Sequence, residues 1–369
     1  MAAPLSCILM ECAKAIEGGR LDVADSLLAV IQSLAPKEES IWRRKVVKYF
    51  AEALVRRAYG IRPPRTLPPL PAQCDPRDCM YEPLYKFATI TSKHAIADAL
   101  NSGYKRLRII DFSTMFDFWR WNYLIKEFKE QYGGLRPVLI TSIAPKLSKH
   151  SGYLRQNWEQ ARKAVDKKLE LRQLICNSPD DIVNCISKLR RKSEDEIVVV
   201  NWNYILHKLL AQDGATEQVL SKVKDLGADI MVIVEQEANL NSPDLLKRLE
   251  QSFQYYSTIF ESLEKTYITK ALWEKYFRRQ IGNVVACEGV DRVERIESFA
   301  QWQNRLSQAG FCPVPQQVDE FKMCFQFDFD EYGIEEKEGH NILLSWHGFP
   351  LAVASVWKVT DPPQFSGGE

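Results

Sequence analysis

Four polar residues, Asp111, Asn201, Glu235 and Glu237, each close a short apolar run rich in β-branched residues. The runs are LRIIDF (107–112), IVVVN (197–201) and DIMVIVEQE (229–237), and VLITSI (138–143) is a fourth of the same kind without an acid. At the C-terminal ends of parallel strands these side chains would line one crevice, where doubly wound folds hold their ligands. Paired carboxylates there can do acid–base work. The alternative is structural: such carboxylates cap helix N-termini and accept from loop amides. That is the preferred reading.

The cofactor chemistry this arrangement suggests lacks its parts. A methyltransferase of this class needs a glycine turn after the first strand, so that the backbone approaches S-adenosylmethionine closely. It also needs an acid after the second strand for the ribose hydroxyls. The first turn reads FSTMFDFWRWN, without glycine, and the second strand ends ITSIAP, without an acid. Phe116, Phe118, Trp119, Trp121 and Tyr123 would occupy the cofactor's space, as core or as an exposed interface. There is no G-x-S-x-G elbow, P-loop or H-E-x-x-H motif. His94, His150, His207, His340 and His347 show no ligand spacing and read as surface or satisfied core residues. The nine cysteines include no CxxC pair, and the Cx4C pair Cys74 and Cys79 has no histidine nearby. They read as reduced thiols of a cytosolic or nuclear protein, with no metal site. The expectation is a protein with no cofactor and no catalytic residues.

The elements that position these residues follow from periodicity. Residues 4–60 repeat apolar positions at helical spacing, with Leu5, Ile8, Leu9, Cys12 and Ile16 on one face of the first helix. GIRPPRTLPPLPAQCDP (60–76) is a proline-rich connector. A helix from Leu84 to Ala99 stops at Asn101–Gly103. Helical stretches at 121–131, 153–168, 178–191 and 203–225 then alternate with the strand runs, which predicts a parallel sheet covered on both faces. NVVACEG (283–289) adds an apolar run, and 297–311 a helix. KMCFQFDF (322–329), NILLSW (341–346) and PLAVASVW (350–357) read as strands without helices between them, the last two joined at HGFP as a hairpin. The fold class is α/β: a Rossmann-like, class I methyltransferase-like doubly wound sheet with antiparallel C-terminal strands and an N-terminal α-helical cap. The expected organisation is one domain over 1–369, with a leucine-rich cap at 1–60, a connector at 61–76 and a sheet core at 77–369.

Bulk composition excludes little. The chain has 369 residues, 46% hydrophobic and 26% charged, with net charge +1, so any nucleic-acid contact must come from a local patch. No apolar stretch of about 20 residues offers a membrane span, and the N-terminus lacks the marks of a signal peptide.

The motifs together resemble the GRAS proteins, plant transcriptional regulators that include Scarecrow, Short-root and the DELLA repressors. LMECAKAIEGGRLDVADSLLAVIQSLA resembles the family's first leucine-rich block. LRIIDF stands at its VHIID motif, with Leu107 and Arg108 replacing the first two residues. VEQEANLNSPDLLKRLEQSFQYYSTIFESLE leads into the PFYRE region, with Pro243, Tyr255 and Tyr256 at marked positions. GNVVACEGVDRVERIESFAQWQNRLSQAGF supplies Arg292, Glu294 and Arg295, expected to make structural ion pairs, and SWHGFPLAVASVW is the SAW block. Trp302, Trp346 and Trp357 are expected in the core. Departures are FDFWRW after the VHIID motif, and Lys93 and His94 where the family commonly has Asn-Gln. KVVKYFAEALVRRAYGI, LHKLLAQDGATEQVL and VVACEGVDRVERIESFAQW are most similar to the DELLA branch. The N-terminal segment that the gibberellin receptor grips in that branch has no counterpart here. The resemblance then implies a regulator that the hormone does not mark for destruction in the usual way, or a shortened paralogue.

The resemblance implies a nuclear regulator that binds transcription factors, and other GRAS proteins, through its N-terminal cap, within gibberellin-type hormone or developmental signalling. The candidate partner-binding residues are Leu5, Ile8, Leu9, Cys12 and Ile16, and Leu206, Leu209 and Leu210 of LHKLL, which fits the LxxLL pattern of coregulator helices. The bland alternative for both is core packing. Arg43, Arg44, Lys45 and Lys48, and Arg190, Arg191 and Lys192 after Lys188, are candidates for DNA contact or nuclear import, or else solvated faces. The expected DNA contact is indirect or weak. The rival functions are an S-adenosylmethionine-type small-molecule binder or residual methyltransferase, and a direct sequence-specific DNA-binding factor.

Overall fold

The computed structural model describes residues 5–62, 83–101, 106–112, 137–144, 169–189, 191, 193–265, 270–326 and 331–360, together with Trp121, Leu124, Ile125, Glu127, Phe128 and Glu130. Most of the connector, the stretch 153–168, Phe116, Phe118, Trp119, Tyr123, Arg190 and Lys192 lie outside the described residues.

Three helices come first: α1 (Leu5–Glu17), α2 (Leu21–Leu34) and α3 (Ile41–Ala58). The pair Gly18–Gly19 ends α1. Gly19 takes φ +70°, which lets the Arg20 amide reach back to the Ala15 carbonyl at 2.9 Å and the Gly19 amide to Ile16 at 3.0 Å. Those bonds satisfy carbonyls that a helix end leaves orphaned, in a conformation glycine adopts without strain. Leu9, Cys12 and Ala13 of α1 and Val46, Phe50 and Leu54 of α3 are buried in one cluster with Tyr256 and Phe260. The helical layer is therefore continuous with the core rather than an appendage.

The sheet is built from β1 (Arg106–Asp111), β2 (Val138–Ala144), β3 (Leu169–Ile175), β4 (Glu196–Asn203), β5 (Ile230–Gln236), β6 (Phe311–Val314), β7 (Tyr332–Lys337), β8 (Asn341–Trp346) and β9 (Phe349–Val359). Its order is β3-β2-β1-β4-β5-β9-β8-β7, with β6 pairing β9. The first five strands are parallel and β9 runs antiparallel beside β5. Strand order reverses between β1 and β4, whose C-terminal residues Asp111 and Asn201 are register partners. The topological switch point, where such sheets open a crevice, lies between them.

Helices α4 (Pro83–Asn101), α5 (Pro179–Lys188), α6 (Ala215–Asp225), α7 (Leu245–Leu263), α8 (Lys270–Ala286), α9 (Phe299–Gln308) and α10 (Val318–Gln326) complete the layers. Local chemistry starts them: Asp244 accepts from the Leu246 and Lys247 amides, and Ser298 with Gln301 forms a capping box on α9. One apolar cluster joins α1–α4, α7, α8 and α10 to the sheet, and another lies under α5, α6 and α9.

Several expected elements differ. KMCFQFDF is not a strand, because its described part belongs to α10. Alternation would place Phe321, Met323 and Phe325 on one face. Instead both phenylalanines are fully buried, with edge contacts to Phe87, while Met323 is 72% exposed. NVVACEG supplies the last turn of α8, with Asn283, Val284 and Val285 buried. The helix expected over 203–225 divides into a 3-10 turn (Leu206–Ala211) and α6, separated at Gly214 with φ +74°. Strands β3, β6 and β7 were not expected. LELRQLI and YGIEEK are edge strands whose charged residues break the apolar pattern.

Candidate functional site

The crevice residues are spent on one another. Asn201 Nδ2 donates to Asp111 Oδ1 at 2.6 Å and Trp121 Nε1 to Asp111 Oδ2 at 3.1 Å. Ser92 of α4 donates to Asn201 Oδ1 at 2.9 Å. All four side chains are buried. Phe112 and Trp202 stack beside them with ring centroids 3.8 Å apart. Trp121 is thus a core residue, and the acid at the end of β1 has both oxygens engaged.

Glu235 and Glu237 act on loops. Glu235 Oε1 accepts from the Leu206 amide at 2.7 Å, and Oε2 lies 2.7 Å from His207 Nδ1. Glu237 accepts from the Phe299 amide at 2.8 Å, at the first turn of α9. Burial raises the Glu237 pKa, opposed by that amide and by Lys337.

His207 sits at the centre of a buried network that sequence spacing does not reveal. Its Nε2 lies 2.9 Å from Glu294 Oε2, and neither side chain has exposed surface. Lys208 Nζ stands 3.5 Å from the other Glu294 oxygen. Gln280 Nε2 donates to Glu294 at 2.8 Å and lies 2.9 Å from Gln236 Oε1, and Gln236 Nε2 donates to Tyr255 at 3.1 Å. Burial alone would lower the histidine pKa, but Glu235 and Glu294 raise it to about 9. Burial would raise that of Glu294, but Lys208 and His207 hold it at about 2. The two buried acids face the buried imidazole and the partly exposed Lys208, so their charge is compensated, which is the condition for burying them. The network ties the 3-10 turn to β5, α8 and the segment before α9.

A different feature is open to ligands. A groove of about 950 Å³ runs between α1, α3 and α7. Leu5, Leu9 and Met10 form one wall, Trp42 and Val46 the floor, and Leu249 and Phe253 the other wall. Glu11, Glu38, Glu250 and Glu261 rim it against Lys14 and Arg43. Lys14 pairs with Glu11 at 2.7 Å, and the Arg43 guanidinium lies 5.2 Å from the Trp42 ring. The rim is therefore acidic in balance. Of the candidate cap residues, Leu5 and Leu9 reach the groove, Cys12 is fully buried, and Ile8 and Ile16 pack partly buried against the core. Met10, Trp42 and Phe253 escape sequence reasoning, since the floor and the far wall come from segments some 200 positions apart (Trp42 and Phe253).

The GRAS domain family model matches residues 5–358. The chain belongs to the GRAS domain family. It is 38% identical to DELLA protein 2 of Medicago truncatula over 364 residues, which is 95% of this chain and 66% of that protein. It is 40% identical to DELLA protein GAIP of Cucurbita maxima over 371 residues, 96% of this chain and 62% of that one. The chain thus spans about two thirds or less of the length of these curated relatives. The crystal structure of SCL7 in Oryza sativa superposes with a TM-score of 0.73 at 22% identity, covering 97% of this chain and all of that one, a likeness of fold.

Within this GRAS domain, the LHKLL leucines lie against the core. Leu206 and Leu209 are buried in the cluster under α6, and Leu210 packs against it, because the turn is pulled onto the sheet by Glu235. Arg191 is not a free basic residue either: it donates to the Glu196 and Gly227 carbonyls and pairs with Asp229 at 2.6 Å. On α3, Lys45 pairs with Glu274 at 2.8 Å, while Arg43 and Lys48 are exposed. Arg292 faces Glu288 at 3.7 Å, and Trp302, Trp346 and Trp357 are buried. Among the described residues no helix is long and apolar enough to cross a membrane, and no cluster of metal-ligating side chains occurs.

Proposed function

We propose that this GRAS domain protein is a plant transcriptional regulator, nuclear in location, that works by binding transcription factors at the groove between α1, α3 and α7. One observation carries the reading: the polar groups at the strand ends are paired with one another, while among the described residues an apolar groove of about 950 Å³ stays open on the helical layer. Chemistry at the crevice would need a free carboxylate, and Asp111 and Glu235 are committed to neighbours. We infer no catalytic activity and no cofactor.

The groove suits an amphipathic helix whose apolar face meets Met10, Trp42 and Phe253 and whose flanks carry basic residues toward Glu38, Glu250 and Glu261. A helix of a transcription factor or of another GRAS protein meets that description. In this reading residues 1–60 form the docking cap, 61–76 the connector and 77–369 the scaffold. DNA is reached through the partner, and the setting is gibberellin-type hormone or developmental signalling, by analogy with relatives named DELLA proteins.

The test uses the full chain and a variant carrying Met10→Asp with Phe253→Asp. Both sites are partly buried, so the fold persists, which circular dichroism checks. Wild type should retain transcription factors from plant nuclear extract after nuclease treatment, and the variant should lose them about tenfold or more, the cost of charge in an apolar contact. Retention of the same factors by the folded variant removes the groove as docking face. Loss of all transcription factors from wild type on nuclease treatment removes the protein-docking reading itself.

A further inference from the structure

The Sγ atoms of Cys176 and Cys185 lie 3.0 Å apart. Cys176 directly follows the edge strand β3 and is buried, while Cys185 stands on α5 and is half-buried. The turn between them is tightly held. The Asn177 amide donates to Asp181 Oδ2 at 2.9 Å and the Asp181 amide to Ser178 Oγ at 3.1 Å, with Pro179 in the first turn of the helix. Cys176 Sγ also lies 3.5 Å from the Asp181 carbonyl oxygen. These bonds fold the start of α5 back on the end of β3 and set the two thiols face to face. Separated sulfurs normally meet at about their van der Waals distance, and a disulfide needs about 2.05 Å. The sulfurs have about 1 Å left to close.

We propose that Cys176 and Cys185 form a two-electron redox couple that closes to an intramolecular disulfide under peroxide and is reopened by small-molecule thiols. The more exposed Cys185 sulfur attacks hydrogen peroxide. The O–O bond breaks, leaving Cys185 as a sulfenic acid and releasing one water. The Cys176 sulfur then attacks the Cys185 sulfur. The S–S bond forms, the S–O bond breaks, and hydroxide leaves with the Cys176 proton as a second water. Two thiols are oxidised and one peroxide is reduced to two waters. Two glutathione-class thiols reverse the step by exchange, ending as their own disulfide. The order follows from environment: burial, then the neighbouring Cys185, hold the Cys176 thiol well above the usual range, so it serves poorly as first nucleophile and acts as the resolving thiol. In a reducing compartment such a pair stays open at rest and closes transiently. Closure fastens α5 to the sheet edge.

The test is direct, because Gln173 to Lys188 is one tryptic peptide that carries both cysteines. The full chain is treated with hydrogen peroxide, alkylated under denaturing conditions, digested and weighed. The peptide should be unalkylated and two hydrogens lighter, and doubly alkylated if dithiothreitol precedes alkylation. A peptide that remains doubly alkylated after peroxide, or carries a sulfinic acid at Cys185 with Cys176 alkylated, overturns the proposal. In Cys176→Ser the resolving thiol is gone, so Cys185 should accumulate sulfenic acid and take up dimedone. A Cys176→Ser chain without the dimedone adduct overturns the order of attack and the couple with it.

Discussion

His207 Nε2 lies 2.9 Å from Glu294 Oε2, between side chains 87 positions apart and both without exposed surface. With Glu235 on its other nitrogen, the imidazolium is clamped from both sides. The clamp links the turn after β4 to the segment before α9, and it gives stability a pH signature.

The folded chain holds the His207 proton more tightly than the unfolded chain, with a pKa of about 9 against 6.5. Its contribution is complete below pH 6.5 and is lost as the pH rises through 9. Glu294, held at about 2 against 4.5, contributes above pH 4.5 and loses that contribution as the pH falls toward 2. Urea midpoints should therefore fall between pH 6.5 and 9 in wild type. His207→Gln should flatten that slope, and an unchanged slope would show that the imidazole titrates unperturbed.

Glu294→Gln leaves the buried His207 with Glu235 as its one acid and takes the ion-pair partner from Lys208. A destabilisation of about 3–5 kcal/mol is expected, the range for breaking a buried pair on one side. Equilibrium urea unfolding measures it, and a loss below about 1 kcal/mol would mean that the pair is not desolvated.

Arg57 fastens the first helix. From α3 it reaches Glu17 of α1 at 2.8 Å, Glu288 at 2.9 Å and the Val285 carbonyl at 3.2 Å. Arg57→Ala should cost about 1–2 kcal/mol, as one charge-assisted contact set between a largely buried guanidinium and half-exposed carboxylates. Amide exchange should speed first in α1. Uniform exchange across the helical layer would show that α1 has no separate opening.

The α10 assignment is tested by a pair of truncations. Phe325→Ala should cost about 3–5 kcal/mol, the range for a buried aromatic, while Met323→Ala should fall within about 0.5 kcal/mol. Equal costs would restore the alternating, strand-like reading.

S-adenosylmethionine in millimolar excess should leave the melting temperature unchanged. Binding would require Asp111 to give up Asn201 and Trp121. A tight ligand raises the midpoint by mass action, so a rise that scales with concentration would reopen the crevice as a binding site.

Much of the fold was legible because its cause is local. IVVV (197–200) and IMVIV (230–234) are uninterrupted apolar runs, which is what a strand buried on both faces requires. Edge strands such as YGIEEK were illegible because one side meets solvent and the apolar pattern fades. Phe325 misled because F-x-F satisfies a period of two, whereas burial is decided by Phe321 and Phe87. The candidate site was half legible. Leu5 and Leu9 announce an apolar helix face, but the groove's far wall is Phe253.

The sequence by itself determined the family, the alternation of strands and helices and the loss of the glycine turn, since these are written in runs and motifs a few residues long. Only the tertiary structure decided which polar groups are spent and which surface stays open. His207 with Glu294 and Asp111 with Asn201 meet through chain reversals, and no local period encodes a distance across a sheet. Burial is a property of what folds back over a residue, and that is set by the sum of contacts in the whole chain.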